Sequence, residues 1–125
     1  MIMLVCIMIT FLTELTSNTA TTEMILPVLA AVAVVTGTHP LLLMIPATIS
    51  ASCAFMMPVA TPPNAIVFGS ERISVEEMVR IGIFLNLIGV LVITAIVLLV
   101  GTTVFGIDPS MVPDWANSMA AGPGG

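Results

Sequence analysis

From Met78 to Phe105 the chain reads as one almost unbroken apolar run, interrupted by a single internal amide, Asn86. Crossing about 30 Å of hydrocarbon takes about 20 helical residues, so this segment is long enough to span a bilayer. A chain with such a span must satisfy its backbone polar groups within itself wherever lipid replaces water, and helices do that. The fold class expected is therefore an all-α integral membrane protein. Composition agrees: 58% of the residues are hydrophobic and 7% charged, against roughly a quarter charged in soluble domains. The net charge of −5 comes with no basic patch, so no nucleic-acid partner is expected.

Two other apolar stretches are broken by polar, helix-disfavouring residues. Met1–Leu15 and Ala20–Val35 are each short for a span and meet at Ser17-Asn18-Thr19. One reading is a single long tilted helix that turns these polar groups toward a neighbour. The other, which we favour, is a re-entrant helical hairpin over residues 1–36 with the SNT at its tip. Ser and Asn prefer caps and turns, so Ser17 or Asn18 would cap the second half-helix. Glu23 would then lie near that helix's positive end. Thr36–Pro40 is a turn by composition, with His39 exposed in it. Residues 37–69 read as a proline-broken transmembrane helix, running from Leu41 to Val59, breaking at Thr61-Pro62-Pro63-Asn64 and resuming over Ala65–Gly69. Residues 70–77 form a polar loop in which Ser74 and Glu77 have the spacing of a capping box. The final transmembrane helix covers 78–105, and a tail over 106–125 carries Trp115 as an interfacial anchor.

The basic residues, Arg72 and Arg80, flank the 70–77 loop. The positive-inside rule places that loop in the cytoplasm and the C-terminal tail outside. Isolated polar residues within the apolar runs (Thr10, Ser50, Thr94 and Asn86) read as interhelical packing hydrogen bonds. Pro27 and Pro46 read as kinks. Cys6 and Cys53 read as free thiols in apolar surroundings. Glu14 and Glu23 are taken to face water near the tip, with no ligand role. A single histidine and two separated cysteines make no metal cluster, and no nucleophile–base pair is present, so an enzyme is not expected and no cofactor is implied.

Irregular backbone at membrane depth persists only where protein or a water-filled cavity surrounds it. The N-terminal ends of half-helices present amide hydrogens to anions, while unwound carbonyls coordinate cations. Residues Ser17 to Thr22 are suited to a carboxylate or sulfate. Carbonyls near Thr13, Thr16 and Ala60, with the Asn18 side-chain oxygen, are hard donors suited to Na⁺.

The strings TELTSNTATTEMILP and ASCAFMMPVATPPNAIVFGS resemble the second inverted repeat of the divalent anion/sodium symporter family. In the second string the spacing of Ser52, Phe55, Pro58, Ala60, Asn64 and Val67 follows that family's signature. The resemblance extends up to Phe105. It implies that Ser17, Asn18, Thr19, Thr61 and Pro62 contact a substrate carboxylate. It also implies a sodium site of Thr13, Asn18 and the Thr16 and Ala60 carbonyls. By the same likeness the transporter would be an elevator-type symporter for di- or tricarboxylates such as succinate, a multi-pass inner- or plasma-membrane protein and a homodimer when full length. The sequence contains one SNT and one broken helix, so the remaining half of the transporter is an expected partner, along with Na⁺, the divalent anion and lipid. The chain is expected to be a C-terminal fragment, inactive alone. A sulfate or other oxyanion transporter of the same superfamily, and a small non-transporting membrane subunit, stay open as alternatives.

Overall fold

A computed structural model describes residues 1–104 and 106–120, all of whose regular structure is helical. Six helices follow in order: α1 Ile2–Thr13, α2 Asn18–Val35, α3 Leu41–Ala51, α4 Pro62–Gly69, α5 Val75–Thr103 and α6 Asp114–Ala120. Two of them, α2 and α5, are long and apolar enough to cross a membrane. At 1.5 Å per residue the 29 residues of α5 extend roughly 40 Å.

The centre of the bundle is α3, which packs against α1, α2 and α5. One apolar cluster joins α1, α2 and α3 through Val5, Ile9, Leu29, Ala33, Leu43 and Ala47. A second joins α1, α3 and α5 through Cys6, Leu42, Val90, Ile93 and Val97, closed by Ile107. The buried residues of α5 form a single stripe at spacings of three and four: Met78, Gly82, Asn86, Val90, Ile93, Val97 and Gly101. That period places them on one helical face. The opposite face leaves Ile81, Phe84, Ile88, Leu91 and Leu99 exposed. Cys6 meets Thr94 while Glu14 meets Asn86. Rising along α1 therefore means descending along α5, and the two helices are antiparallel.

Several boundaries differ from the expectations above. The two half-helices of residues 1–35 are joined by residues 14–17, so Asn18 and Thr19 open α2 instead of lying between the helices. The helix expected over Leu41–Val59 stops at Ala51, so the break occupies 52–61 and is longer than the TPPN string. Pro62 and Pro63 do not interrupt a helix but begin one. They take the first two positions of α4, where a missing N–H costs nothing, and Thr61 caps it by accepting the Asn64 N–H at 3.3 Å. The final helix begins at Val75, inside the expected 70–77 loop, because Ser74 and Glu77 form a complete capping box. It ends at Thr103, and Phe105 lies outside the described residues. The tail contains α6, which packs on α2; residues 121–125 lie outside the described part.

Three side-chain expectations are also corrected. His39 is half-buried rather than exposed, because the Trp115 ring meets it edge-on at a centroid distance of 6.3 Å. Thr10 and Ser50 are buried with no hydrogen-bond partner, so neither supplies an interhelical bond; Thr94 does, to Cys6 Sγ at 3.9 Å. Glu23 sits on the second turn of α2, exposed, beyond the reach of the helix's first-turn amides. Both α2 and α3 continue through their internal prolines, Pro27 and Pro46.

Candidate functional site

At the tip between α1 and α2, Ser17 takes the N-cap position with extended backbone (φ −65°, ψ 131°), but its hydroxyl caps nothing. The capping role expected of that side chain is not played. The hydroxyl and the first-turn amides of α2, which have no intrahelical acceptors, stay available to a ligand. Thr16 donates to the Leu12 carbonyl at 2.9 Å and pairs with Thr21 Oγ1 at 2.6 Å. Thr22 donates to the Asn18 carbonyl at 2.8 Å. These local bonds stiffen the tip on both sides of Asn18.

Beneath the tip, Thr13 is fully buried. Its Oγ1 approaches two acceptors, Asn18 Oδ1 and the Ala51 carbonyl, the latter at 2.8 Å. A hydroxyl has one hydrogen to give, and neither other oxygen carries any. Three oxygens therefore gather around one proton. Such an electron-rich cluster is the environment a hard cation satisfies, and oxygen ligands of this kind suit Na⁺.

The tip faces the break across an open cavity of about 520 Å³, lined by Glu14, Leu15, Thr16, Ser17, Asn18, Thr19, Val59, Ala60 and Pro62. Six of the eight residues singled out from sequence thus share one cavity. Thr13 lies below it, joined through Asn18. Thr61 is absent from the lining, and its hydroxyl serves α4 as the cap described above. The volume lies within the range of small-molecule sites. Neither Arg72 nor Arg80 lines it, so the donors it offers an anion are the first-turn amides of α2 and the tip hydroxyls.

What holds the break beside the tip is Glu14, which the sequence reading assigned no role. Its carboxylate is only 3% exposed. Oε1 accepts the backbone N–H groups of Phe55 at 2.8 Å and Met56 at 2.9 Å, and Oε2 accepts that of Met57 at 3.0 Å. Asn86 Nδ2 on α5 donates a further bond to Oε1 at 2.8 Å. Successive amides pointing at one anion make a backbone nest. The expectation that Glu14 faces water is thereby corrected: protein donors have replaced the water. One signal pointed to it, namely a carboxylate in an apolar helix, where burial demands partners.

Other groups of the break find partners as well. Asn64 Nδ2 donates to the Ala54 carbonyl at 2.8 Å and the Met57 carbonyl at 3.0 Å, and Ala60 N–H bonds Met57 at 3.1 Å. Pro58 weakens helical structure at the far end of this stretch. It lacks an N–H for the Ala54 carbonyl and disfavours helical backbone at Met57. The apolar run Ser52–Val59 would otherwise extend α3, but the amides of 55–57 are drawn to Glu14.

Comparisons with known proteins place these features. The sodium:sulfate symporter transmembrane region, as a family, matches residues 1–107. A sodium-dependent dicarboxylate transporter of Staphylococcus saprophyticus is 50% identical over 107 residues, covering 86% of this chain and 21% of that protein. The sodium-dependent dicarboxylate transporter of Staphylococcus aureus strain COL is 55% identical over 96 residues, 77% of this chain and 18% of that protein. The chain thus spans about a fifth of the length of the curated relatives it matches. With a match over most of its residues, the chain belongs to the sodium:sulfate symporter transmembrane-region family of membrane transporters.

Proposed function

We propose that this chain forms the tip-and-break half-site of a sodium-coupled symporter for di- or tricarboxylates such as succinate. The observation that carries the sodium part is the proton-poor cluster of Thr13 Oγ1, Asn18 Oδ1 and the Ala51 carbonyl beneath the SNT tip. Na⁺ enters there with Asn18, and the Thr16 and Ala60 carbonyls complete its shell from either side of the cavity. With Asn18 fixed, the Ser17 and Thr19 hydroxyls and the α2 amides donate to one anion carboxylate, with Pro62 bounding it from the break and Thr61 shaping that wall as the cap of α4. Sodium binding raises anion affinity, and by linkage the anion raises sodium affinity by the same factor.

The activity of the relatives favours carboxylates, and the anion's other contacts come from transporter segments beyond the matched fifth. The assembled protein is proposed to sit in the inner or plasma membrane as a homodimer, with the tail outside, and to carry its site across by an elevator-like shift. It acts as a carrier, not an enzyme. The family's name includes sulfate, which keeps an oxyanion substrate as the second reading.

The test is a chimera in which residues 1–107 replace the matching segment of the S. saprophyticus relative, reconstituted in liposomes. Labelled succinate uptake should require a sodium gradient and be competed by unlabelled succinate more strongly than by sulfate. Equal competition by sulfate supports the oxyanion reading. Uptake that ignores sodium in a properly inserted chimera refutes the proposal.

A further inference from the structure

We infer that Glu14 is the positioning residue that makes the tip and the break one sodium-responsive unit, acting through a backbone nest rather than as an ion ligand. This rests on the transport reading above and names how its site is held together.

The connection can be followed atom by atom. Glu14 directly follows Thr13, whose hydroxyl reaches Asn18. Its carboxylate binds Met57 N–H, and the Met57 carbonyl accepts both the Ala60 N–H and the Asn64 amide. Ala60 lines the same cavity as Asn18. One side chain therefore ties the floor of the tip to the break's contribution to the cavity wall. Both carboxylate oxygens already accept protein donors, which leaves the group poorly placed to coordinate an ion as well.

The loop is also braced from behind. A Cβ built at Gly82 would lie 2.5 Å from the Phe55 carbonyl oxygen, so the loop rests directly on α5. Asn86, one turn further on, grips the carboxylate from the same face. Among the described residues no cation pairs with Glu14. Its carboxylate is met by four hydrogen bonds alone, three of them from the 55–57 amides.

Glu14→Gln in the chimera tests this. The amide keeps the shape but replaces Oε2 or Oε1 with a donor that faces backbone N–H groups. The sodium half-saturation of uptake should rise about tenfold, equivalent to 1.4 kcal/mol, with the maximal rate at saturating sodium held within about twofold. An unchanged sodium half-saturation, at whatever maximal rate, overturns the inference, because a purely structural role lowers the rate without shifting that midpoint.

If the variant does not insert, hydrogen exchange on the unmutated chimera decides. The amides of residues 55–57 and of 18–20 should gain protection at one common sodium concentration; separate midpoints overturn the coupling. Failure of sodium-dependent uptake in the unmutated chimera would sink the transport reading. Intact uptake with an unshifted Glu14→Gln midpoint sinks only the role given to Glu14.

Discussion

Gly82 lies so close to Phe55 that a methyl group on its α-carbon would come within 2.5 Å of the Phe55 carbonyl oxygen and 2.6 Å of the Met56 Cα. Those atoms are backbone, and the Glu14 carboxylate holds the same loop from the other side, so neither surface can give way cheaply. Gly82→Ala is expected to destabilise the protein by about 1–3 kcal/mol, the scale of overpacking a filled site. Gly89, on the same helix, meets nothing within 4 Å. Gly89→Ala should leave stability unchanged or raise it by up to about 1 kcal/mol through helix propensity. The melting temperature in detergent should fall for Gly82→Ala and stay or rise for Gly89→Ala, and equal shifts would contradict the packing described.

Asn86 is fully buried and gives Glu14 its one side-chain donor, while its own Oδ1 has no partner. Asn86→Ala should cost about 1.5–3 kcal/mol, as expected for a hydrogen bond to a charged group. Asn86→Asp should be worse, since it sets two carboxylates face to face in a buried site. Chemical denaturation or thermal unfolding ranking the three proteins as wild type, Ala, Asp would agree; a neutral Asp variant would not.

Asn18 belongs to both halves of the proposed site. Its side-chain oxygen meets Thr13, and its residue lines the anion cavity. Asn18→Ala in the chimera should weaken apparent sodium and succinate affinity together, by roughly tenfold each if a single coupling energy of 1–3 kcal/mol links them. Loss of one affinity with the other intact would separate the two sites.

Asp108, just past the end of α5, accepts the Ser110 hydroxyl at 2.6 Å and the Ser110 N–H at 2.9 Å. Those bonds favour the ionised form and hold its carboxyl below the usual aspartate range, with the side-chain bond the larger cause. A depressed folded value means that the turn's contribution is present above the unfolded value, near 3.9, and disappears as pH falls through the lower folded value. Ser110→Ala should move the Asp108 titration upward in a carboxyl NMR experiment, and an unmoved midpoint would contradict the assignment.

Trp115 is the single tryptophan, so its emission reports on the tail alone. It is partly exposed and meets His39 edge-on. His39→Ala should shift that emission and loosen α6 from α2, at a cost of about 0.5–1.5 kcal/mol for a lost aromatic pair. An unchanged spectrum would mean that the tail does not dock through this contact.

How much of this was legible along the chain follows from the range of each interaction. The Ser74–Glu77 capping box and the interruption at Ser17–Thr19 are local, because their partners lie within five residues; the first was read from spacing and the second from polar side chains in an apolar stretch. The apolar period of α5 likewise needed only its own residues. Six of the eight residues singled out from sequence line one cavity, since half-helix ends and prolines announce where backbone groups lack partners. Their separate roles were less legible: the Thr61 hydroxyl went to a helix cap, and Ser17 left its own unused.

What composition and local pattern determined is that this chain is helical, lives in a membrane, and breaks twice within apolar stretches. The end of α3 at Ala51 was decided only in three dimensions. By propensity the helix runs on to Val59, yet Glu14, more than forty residues earlier, offers the Phe55 to Met57 amides a better acceptor than water or lipid. The same distance hid the meaning of Gly82 and Asn86, which look like a weak point and a stray amide until the loop is laid across them. A buried carboxylate must find its donors wherever the fold brings them, and no reading of neighbouring residues says which segment that will be.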